Sequence, residues 1–228
     1  MQALSQRLLS LQEDERRAIA RELHDEIGQA LTAVKINLQA AERSLGAAML
    51  NPPLSESVYI VERALSQVRS LSLDLRPSIL DDLGLVPAMR WFIDRQLQRG
   101  QFTIQMQVEE LDERLVPELE IVCFRVMQEA FNNIAKHANA TSVNVRLMVE
   151  GKHLYLTIID NGKGFNVERE RTRASRGQSL GLLGMEERVL LAGGTFHIES
   201  SADRGTVIRA VFPIHYAETA FSDSDITL

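Results

Sequence analysis

The sequence predicts an all-α helical hairpin that dimerises into a four-helix bundle, followed by an α/β domain. Three observations carry this expectation. Apolar residues recur in a three-four rhythm from Leu4 to about Leu50, and again from Leu54 to Leu75. Short runs beyond Gln101 alternate or stay apolar as strands do, and longer helical stretches lie between them. With 228 residues, 45% of them hydrophobic, the chain can fill the cores of two modest domains. The expected division is 1–82 for the helices and 83–215 for the α/β part, with 216–228 a polar, disordered tail.

In the first stretch Ile27, Leu31, Val34, Leu38, Ala41 and Leu45 step by alternating fours and threes, a seam suited to pairing with other helices. Asn51, Pro52 and Pro53 end it, because proline removes a backbone donor and disfavours helix in the residue before it. Leu54, Val58, Val61, Leu65, Val68, Leu71 and Leu75 repeat the rhythm up to Pro77. The apolar stripes of one hairpin cannot cover themselves, so a second copy is expected to complete the bundle as a homodimer. Residues 76–100 hold a turn and a short helix, with the domain boundary near Asp81 to Pro87 and Trp91 and Phe92 packed at it. Residues 102–108, 142–150, 153–160, 195–201 and 205–213 read as strands. Residues 117–138 form a helix with Pro117 suited to its first turn, and 182–194 a helix closed by Gly193 and Gly194.

A balance of 31 acidic against 25 basic residues, net charge -6, argues against a general nucleic-acid binder, so no direct contact with DNA or RNA is expected. No apolar run is long enough to span a bilayer, and the start is too polar for a signal peptide. Membrane attachment is expected only through an upstream segment absent from this chain. Cys123 is the single cysteine, which excludes an internal disulfide and fits a reducing cytoplasm. His153, His197 and His215 lie in strand-like or tail contexts and read as structural or exposed.

The chemistry-bearing residues form ordered groups. Glu129, Asn133 and His137 are spaced i, i+4, i+8 on an otherwise apolar helix, with Asn132 and Lys136 alongside. A solvated helix face explains that stripe alone equally well; its company tips the balance. Asp160 ends an apolar strand and is followed by Gly162 and Gly164. A carboxylate there can accept a hydrogen bond from an exocyclic amine, and the glycines let backbone approach a flat ring or a phosphate. The turn from Gly181 through Leu182 and Gly184 to Met185 precedes and opens a helix, whose first amides favour phosphate oxygens. Between these groups, residues 166–179 carry Arg169, Arg171, Arg173 and Arg176 and read as a mobile lid. The chain has no P-loop signature.

In this order, these groups resemble the nucleotide-binding domain shared by gyrase, the Hsp90 chaperones, histidine kinases and MutL mismatch-repair proteins, the GHKL type. The resemblance implies an α/β two-layer sandwich that binds ATP with Mg²⁺. It implies that Asn133 binds the metal and Asp160 the adenine amino group, with Thr206 near adenine. Gly162, Gly164, Gly181 and Gly184 would shape the pocket and lid, and Glu129 would order a water or polarise the attacking group. Magnesium favours oxygen ligands and keeps several waters, so one asparagine beside phosphate oxygens is a sensible protein share.

Ahead of this domain, "LHDEIGQAL" and then "LRPSILDDLGLVPAM" resemble one subfamily of two-component sensor histidine kinases, that of the nitrate/nitrite sensors and the membrane-lipid thermosensor kinases. These pair with helix-turn-helix response regulators. The resemblance runs from about Glu15 to Pro213. It implies that His24 is phosphorylated, that Asp25 activates it, and that Gln29 is the amide associated with dephosphorylating the partner. The lid departs from the family pattern, being longer and richer in arginine. Gly28 costs about 1 kcal/mol against alanine inside a helix, which suggests that room is needed beside His24. An imidazole with an ordinary pKa of about 6.5 is mostly neutral at cytoplasmic pH and so can act as nucleophile. Two rival readings are weaker: a clamp-type ATPase has no use for a His-Asp helix, and a scaffold with a decayed site would not keep Asn133, Asp160 and the glycine turns.

Overall fold

The computed structural model describes residues 2–44, 52–75, 78–109, 111, 113–174, 180–214 and 216. The chain divides into two compact units, Met1–Ser78 and Ile79–Leu228.

The first unit is a helical hairpin. Its first arm is α1 (Gln2–Glu22), a π turn (Leu23–Ile27) and α2 (Gly28–Ser44); its second is α3 (Pro52–Leu75). The sequence reading treats the first arm as one α-helix, whereas the amide of Gly28 reaches the carbonyl of Leu23, five residues back rather than four. A Cβ on Gly28 would meet that carbonyl at an ordinary 3.6 Å, so the backbone itself does not demand a glycine. Pro52 and Pro53 open α3, where the missing amide is no loss because first-turn amides lack intrahelical acceptors anyway. Lys35 on α2 pairs with Glu62 on α3 at 2.7 Å. Among the described residues only Ala20, Leu65 and Ser72 of this unit are buried. The seam residues Ile27 and Val34 remain 42% and 45% exposed, and Leu45 lies outside the described residues.

The second unit opens with α4 (Ser78–Leu83) and α5 (Leu85–Gln98), followed by β1 (Thr103–Val108), α6 (Pro117–Asn133) and a second π turn (Ile134–Ala138). Then come β2 (Ser142–Glu150), β3 (His153–Asp160), α7 (Val167–Ala174), α8 (Leu180–Leu191), β4 (Thr195–Ser200) and β5 (Thr206–Pro213). The five strands form one sheet in the order β1-β2-β3-β5-β4, with β1 parallel to β2 and the other neighbours antiparallel. Alternation sends Val143, Val145 and Leu147, and Leu154, Leu156 and Ile158, to one buried face. Helices cover that face, which makes the two-layer sandwich.

Phe92 belongs to this core and not to a domain boundary. It is 5% exposed and meets Phe124 and Phe131 of α6 edge to face, at centroid separations of 5.7 and 5.5 Å. Trp91 is half-buried, with the Arg95 guanidinium 5.6 Å from its ring centre. The α4–α5 corner is tied down by Arg114, which donates to the carbonyls of Leu80 and Asp81 at 3.1 and 2.7 Å and pairs with buried Glu120 at 3.2 Å. These bonds tie residues 80 and 81 of α4 to the rest of the second unit. Burial raises the Glu120 carboxyl above its ordinary range, although Arg114 pulls it back down.

Two other expectations change. Residues 167–174, read as mobile lid, form α7, with the Asn166 side chain accepting the Arg169 amide at 2.9 Å as an N-cap; Arg176 lies outside the described residues. Tyr216, placed in the tail, makes a β-bridge with Leu115, and residues 217–228 lie outside the described residues.

Phe92→Ala removes both aromatic contacts at once. It is expected to destabilise the second unit by about 3–5 kcal/mol, read as a lowered midpoint of guanidinium unfolding.

Candidate functional site

Inward alternation on β3 continues through Leu154, Leu156 and Ile158 to Asp160, so a carboxylate occupies the next core-facing position, 6% exposed. It is not left bare. The Gly162 amide donates to Oδ1 at 2.8 Å, and Thr206, its register partner on β5, supplies bonds from its hydroxyl and its amide. Burial nonetheless dominates and holds the Asp160 carboxyl above the usual aspartate range.

The turn after Asp160 is locked on three sides. The Asn161 side chain accepts the amides of Thr141 and Ser142, both at 2.9 Å, and donates to the Thr141 hydroxyl. The Lys163 amide donates to the Ala138 carbonyl at 2.8 Å, tying the turn to the second π turn. Gly164 takes φ +61, and a Cβ there would strike the Ser201 carbonyl. Gly162 lies so close to Ala138 that any side chain would collide with its carbonyl.

Across from Asp160, α6 and its π turn present Glu129, Asn133, Lys136 and His137, and α8 presents Gly181, Leu182 and Met185. Together with Asp160, Gly164 and Thr206 they line a cavity of about 590 Å³, within the range of small-molecule sites. A Cβ on Gly181 would collide with the Glu129 carboxylate, so the glycine is what lets α8 begin directly over that residue. Three expected site residues stand off the cavity lining. Asn132 is exposed, one step around the helix from Asn133; Gly162 backs onto Ala138; the Gly184 carbonyl accepts the Arg188 guanidinium at 3.1 Å.

Sequence reasoning missed part of the lining. Ile134, Ile198 and Ile208 supply apolar walls; the last two are register partners on β4 and β5, a pairing the inward alternation of each strand could have suggested. Phe165, Lys163 and Glu170 also line it. Arg173 pairs with Glu170 at 2.9 Å within α7, and Arg171 links α7 to α8 through Glu186 at 3.2 Å. No group of three or more His, Cys, Asp or Glu fit to hold a metal occurs among the described residues. In the first unit, His24 lies within the π turn Leu23–Ile27, Asp25 beside it is exposed, and Gln29 is exposed on α2.

Comparison with known proteins agrees with this layout. Residues 15–80 match a family described as histidine kinase, and residues 119–216 match the histidine kinase-, DNA gyrase B- and HSP90-like ATPase family. The chain is 38% identical over 216 residues to the sensor protein VraS of Staphylococcus epidermidis, covering 92% of this chain and 59% of that protein. It is 34% identical over 215 residues to the sensor histidine kinase MctS of Rhizobium johnstonii, covering 93% of this chain and 46% of that one. The chain thus spans about half the length of these curated relatives. The histidine kinase domain of a blue-light activated kinase from Erythrobacter litoralis EL346 shares the fold, with a TM-score of 0.51 at 17% identity over 88% of this chain and 94% of that one.

Because the folded state raises the Asp160 carboxyl, it binds a proton that the unfolded chain has already lost. The stability linked to this proton is present below the ordinary aspartate range and is lost as pH rises through the raised value. Asp160→Asn is expected to flatten this dependence and to be at least as stable as wild type at neutral pH while losing nucleotide binding, read by thermal melts across pH and by nucleotide titration.

Proposed function

The chain belongs to the histidine kinase family, and on that premise we propose that it is the catalytic core of a two-component sensor. ATP bound in the second unit phosphorylates His24 in the first, and the phosphoryl group then passes to an aspartate of a response regulator, a helix-turn-helix protein by the subfamily resemblance. The ATPase-type domain implies ATP use. The observation that carries the reading is the cavity itself, lined together by a buried carboxylate, apolar walls and the polar side chains of Asn133, Lys136 and Glu129, in a chain that also holds a His-Asp pair on a helix.

The cavity suits the two ends of ATP differently. Asp160 accepts the exocyclic amine of adenine, with Ile198, Ile208 and Met185 against the ring faces. Asn133 would hold Mg²⁺, which when bound would neutralise charge on the phosphate oxygens, and Lys136 and Arg173 in the same lining would add positive charge. His24 attacks through one ring nitrogen while Asp25 accepts the N–H of the other. A nitrogen–phosphorus bond forms as the bond from the γ-phosphorus to its bridging oxygen breaks, and ADP leaves. Catalysis of this kind needs positioning and charge neutralisation more than covalent help. Glu129, under Gly181, polarises the attacking group.

Dimerisation follows the same reading. Ile27, Val34, Ile60 and Leu71 are 42%, 45%, 58% and 54% exposed in a single hairpin, and a second copy would cover such a seam as a four-helix bundle. The location is the cytoplasmic part of a sensor, whose membrane segment would lie upstream; no helix among the described residues is long and apolar enough to cross a membrane. Gln29 orients water against the phosphoaspartate of the regulator.

Incubation with γ-labelled ATP is expected to give an acid-labile, base-stable label on the wild type, none on His24→Gln, and at most a trace on Asn133→Ala, which should also lose Mg-ATP binding. Label that persists in His24→Gln rejects the assignment. Gln29→Ala is expected to keep autophosphorylation and lose regulator dephosphorylation by about 10-fold or more; an intact phosphatase rate in that variant removes the residue from the role.

A further inference from the structure

Ser72 is the one buried polar side chain of the first unit among the described residues. Its hydroxyl donates a 2.8 Å hydrogen bond to the carbonyl of Ala20, joining α3 to the last turn of α1 across 52 positions of sequence. Both residues are 6% exposed. Leu65, two turns earlier on the same stripe of α3, is also buried, so the bond forms in a dry setting where an unpaired carbonyl is costly.

The place of this bond is what matters. Ala20 lies four residues before His24, so its carbonyl is the one that an α-helix offers to the His24 amide. Directly afterwards the ladder changes, with Leu23–Ile27 wound as a π turn and Gly28 bonded five residues back. A hydroxyl set against a helix carbonyl gives it a partner from outside its own ladder and so can hold an irregular turn that follows, insertion of a side chain into the ladder being one of the identifiable causes of helix irregularity. On the far side of the turn, Thr32 makes a 2.7 Å bond to the Gly28 carbonyl, but from its own helix and in solvent. Ser72 reaches in from the other arm, and α3 packs against both α1 and the π turn.

We infer that Ser72 is a positioning residue: through the Ala20 carbonyl it holds the π turn that carries His24, and so sets how often the imidazole stands ready for phosphoryl transfer. This rests on the kinase reading above. The link also gives a route by which a shift of α3 against α1 changes phosphorylation without touching the nucleotide cavity, which is built wholly within the other unit.

Three variants of the full chain separate the hydroxyl from packing. Ser72→Ala deletes it, Ser72→Thr keeps it, and Ser72→Val matches threonine in volume without it. At saturating Mg-ATP, kcat for labelling His24 is expected to fall on the order of fivefold in the alanine and valine variants and to stay near wild type in the threonine variant. KM for ATP should be unchanged in all three. Amide exchange over residues 23–28 should quicken in the alanine and valine variants only. Wild-type kcat and exchange in Ser72→Ala overturn the inference, as does a loss that Ser72→Thr fails to rescue and that follows melting temperature. A wild type that takes no label at His24 sinks the kinase reading instead; exchange over 23–28 then decides the hold on the turn by itself, unchanged protection overturning it.

Discussion

The candidate site depends on one carboxylate kept out of water. Alternation along β3 puts Asp160 where the next apolar core residue would stand, and the fold answers its desolvation with the Gly162 amide and both bonds from Thr206. Those bonds fix the turn that follows, because the same segment must also satisfy Asn161 and return Lys163 to the Ala138 carbonyl. Gly205, at φ +73, completes the enclosure: a Cβ there would strike the Asp160 carbonyl. A buried carboxylate that lines a cavity is an acceptor open to a hydrogen-bond donor.

The first arm of the hairpin and the helical stretch begun by α6 each contain a π turn, at Leu23–Ile27 and at Ile134–Ala138. Such turns are rare and cluster at functional sites, because widening one turn re-aims every side chain beyond it. At Ile134–Ala138 the consequence is visible. The turn ends on Asn139 in the left-handed region, at φ 52, and leaves the Ala138 carbonyl free to take the Lys163 amide. Lys136 and His137 reach the cavity from within the turn itself.

The two units are stabilised in different ways. The second closes on its own core of strands, α5, α6 and α8, with a phenylalanine cluster joining α5 to α6. The first buries three of its described side chains and leaves Ile27, Val34 and Leu71 largely in water. The cavity lined by Asp160 and Asn133, by contrast, lies wholly within the second unit.

Much of this protein was legible in the sequence because it follows from period and from punctuation. The strands fall within a residue or two of their expected spans, since alternation and Gly or Pro breaks depend only on neighbours. Glu129, Asn133, Asp160 and Gly181 were found as ordered groups, Thr206 came only through the family resemblance, and all five share one cavity. What periodicity could not give depends on contacts between distant residues. The π turns have no sequence signature beyond Gly28. Phe92 was misplaced because an aromatic residue near a boundary looks the same whether it faces a neighbouring domain or its own core. The polar residues of α7 read as loop because helix formation there rests on the Asn166 cap and the Arg171–Glu186 pair, not on an apolar face. Local chemistry was sufficient to name the groups; their burial, and hence the raised Asp160 carboxyl and the hold of Ser72 on Ala20, was decided only when the chain closed and removed water from them.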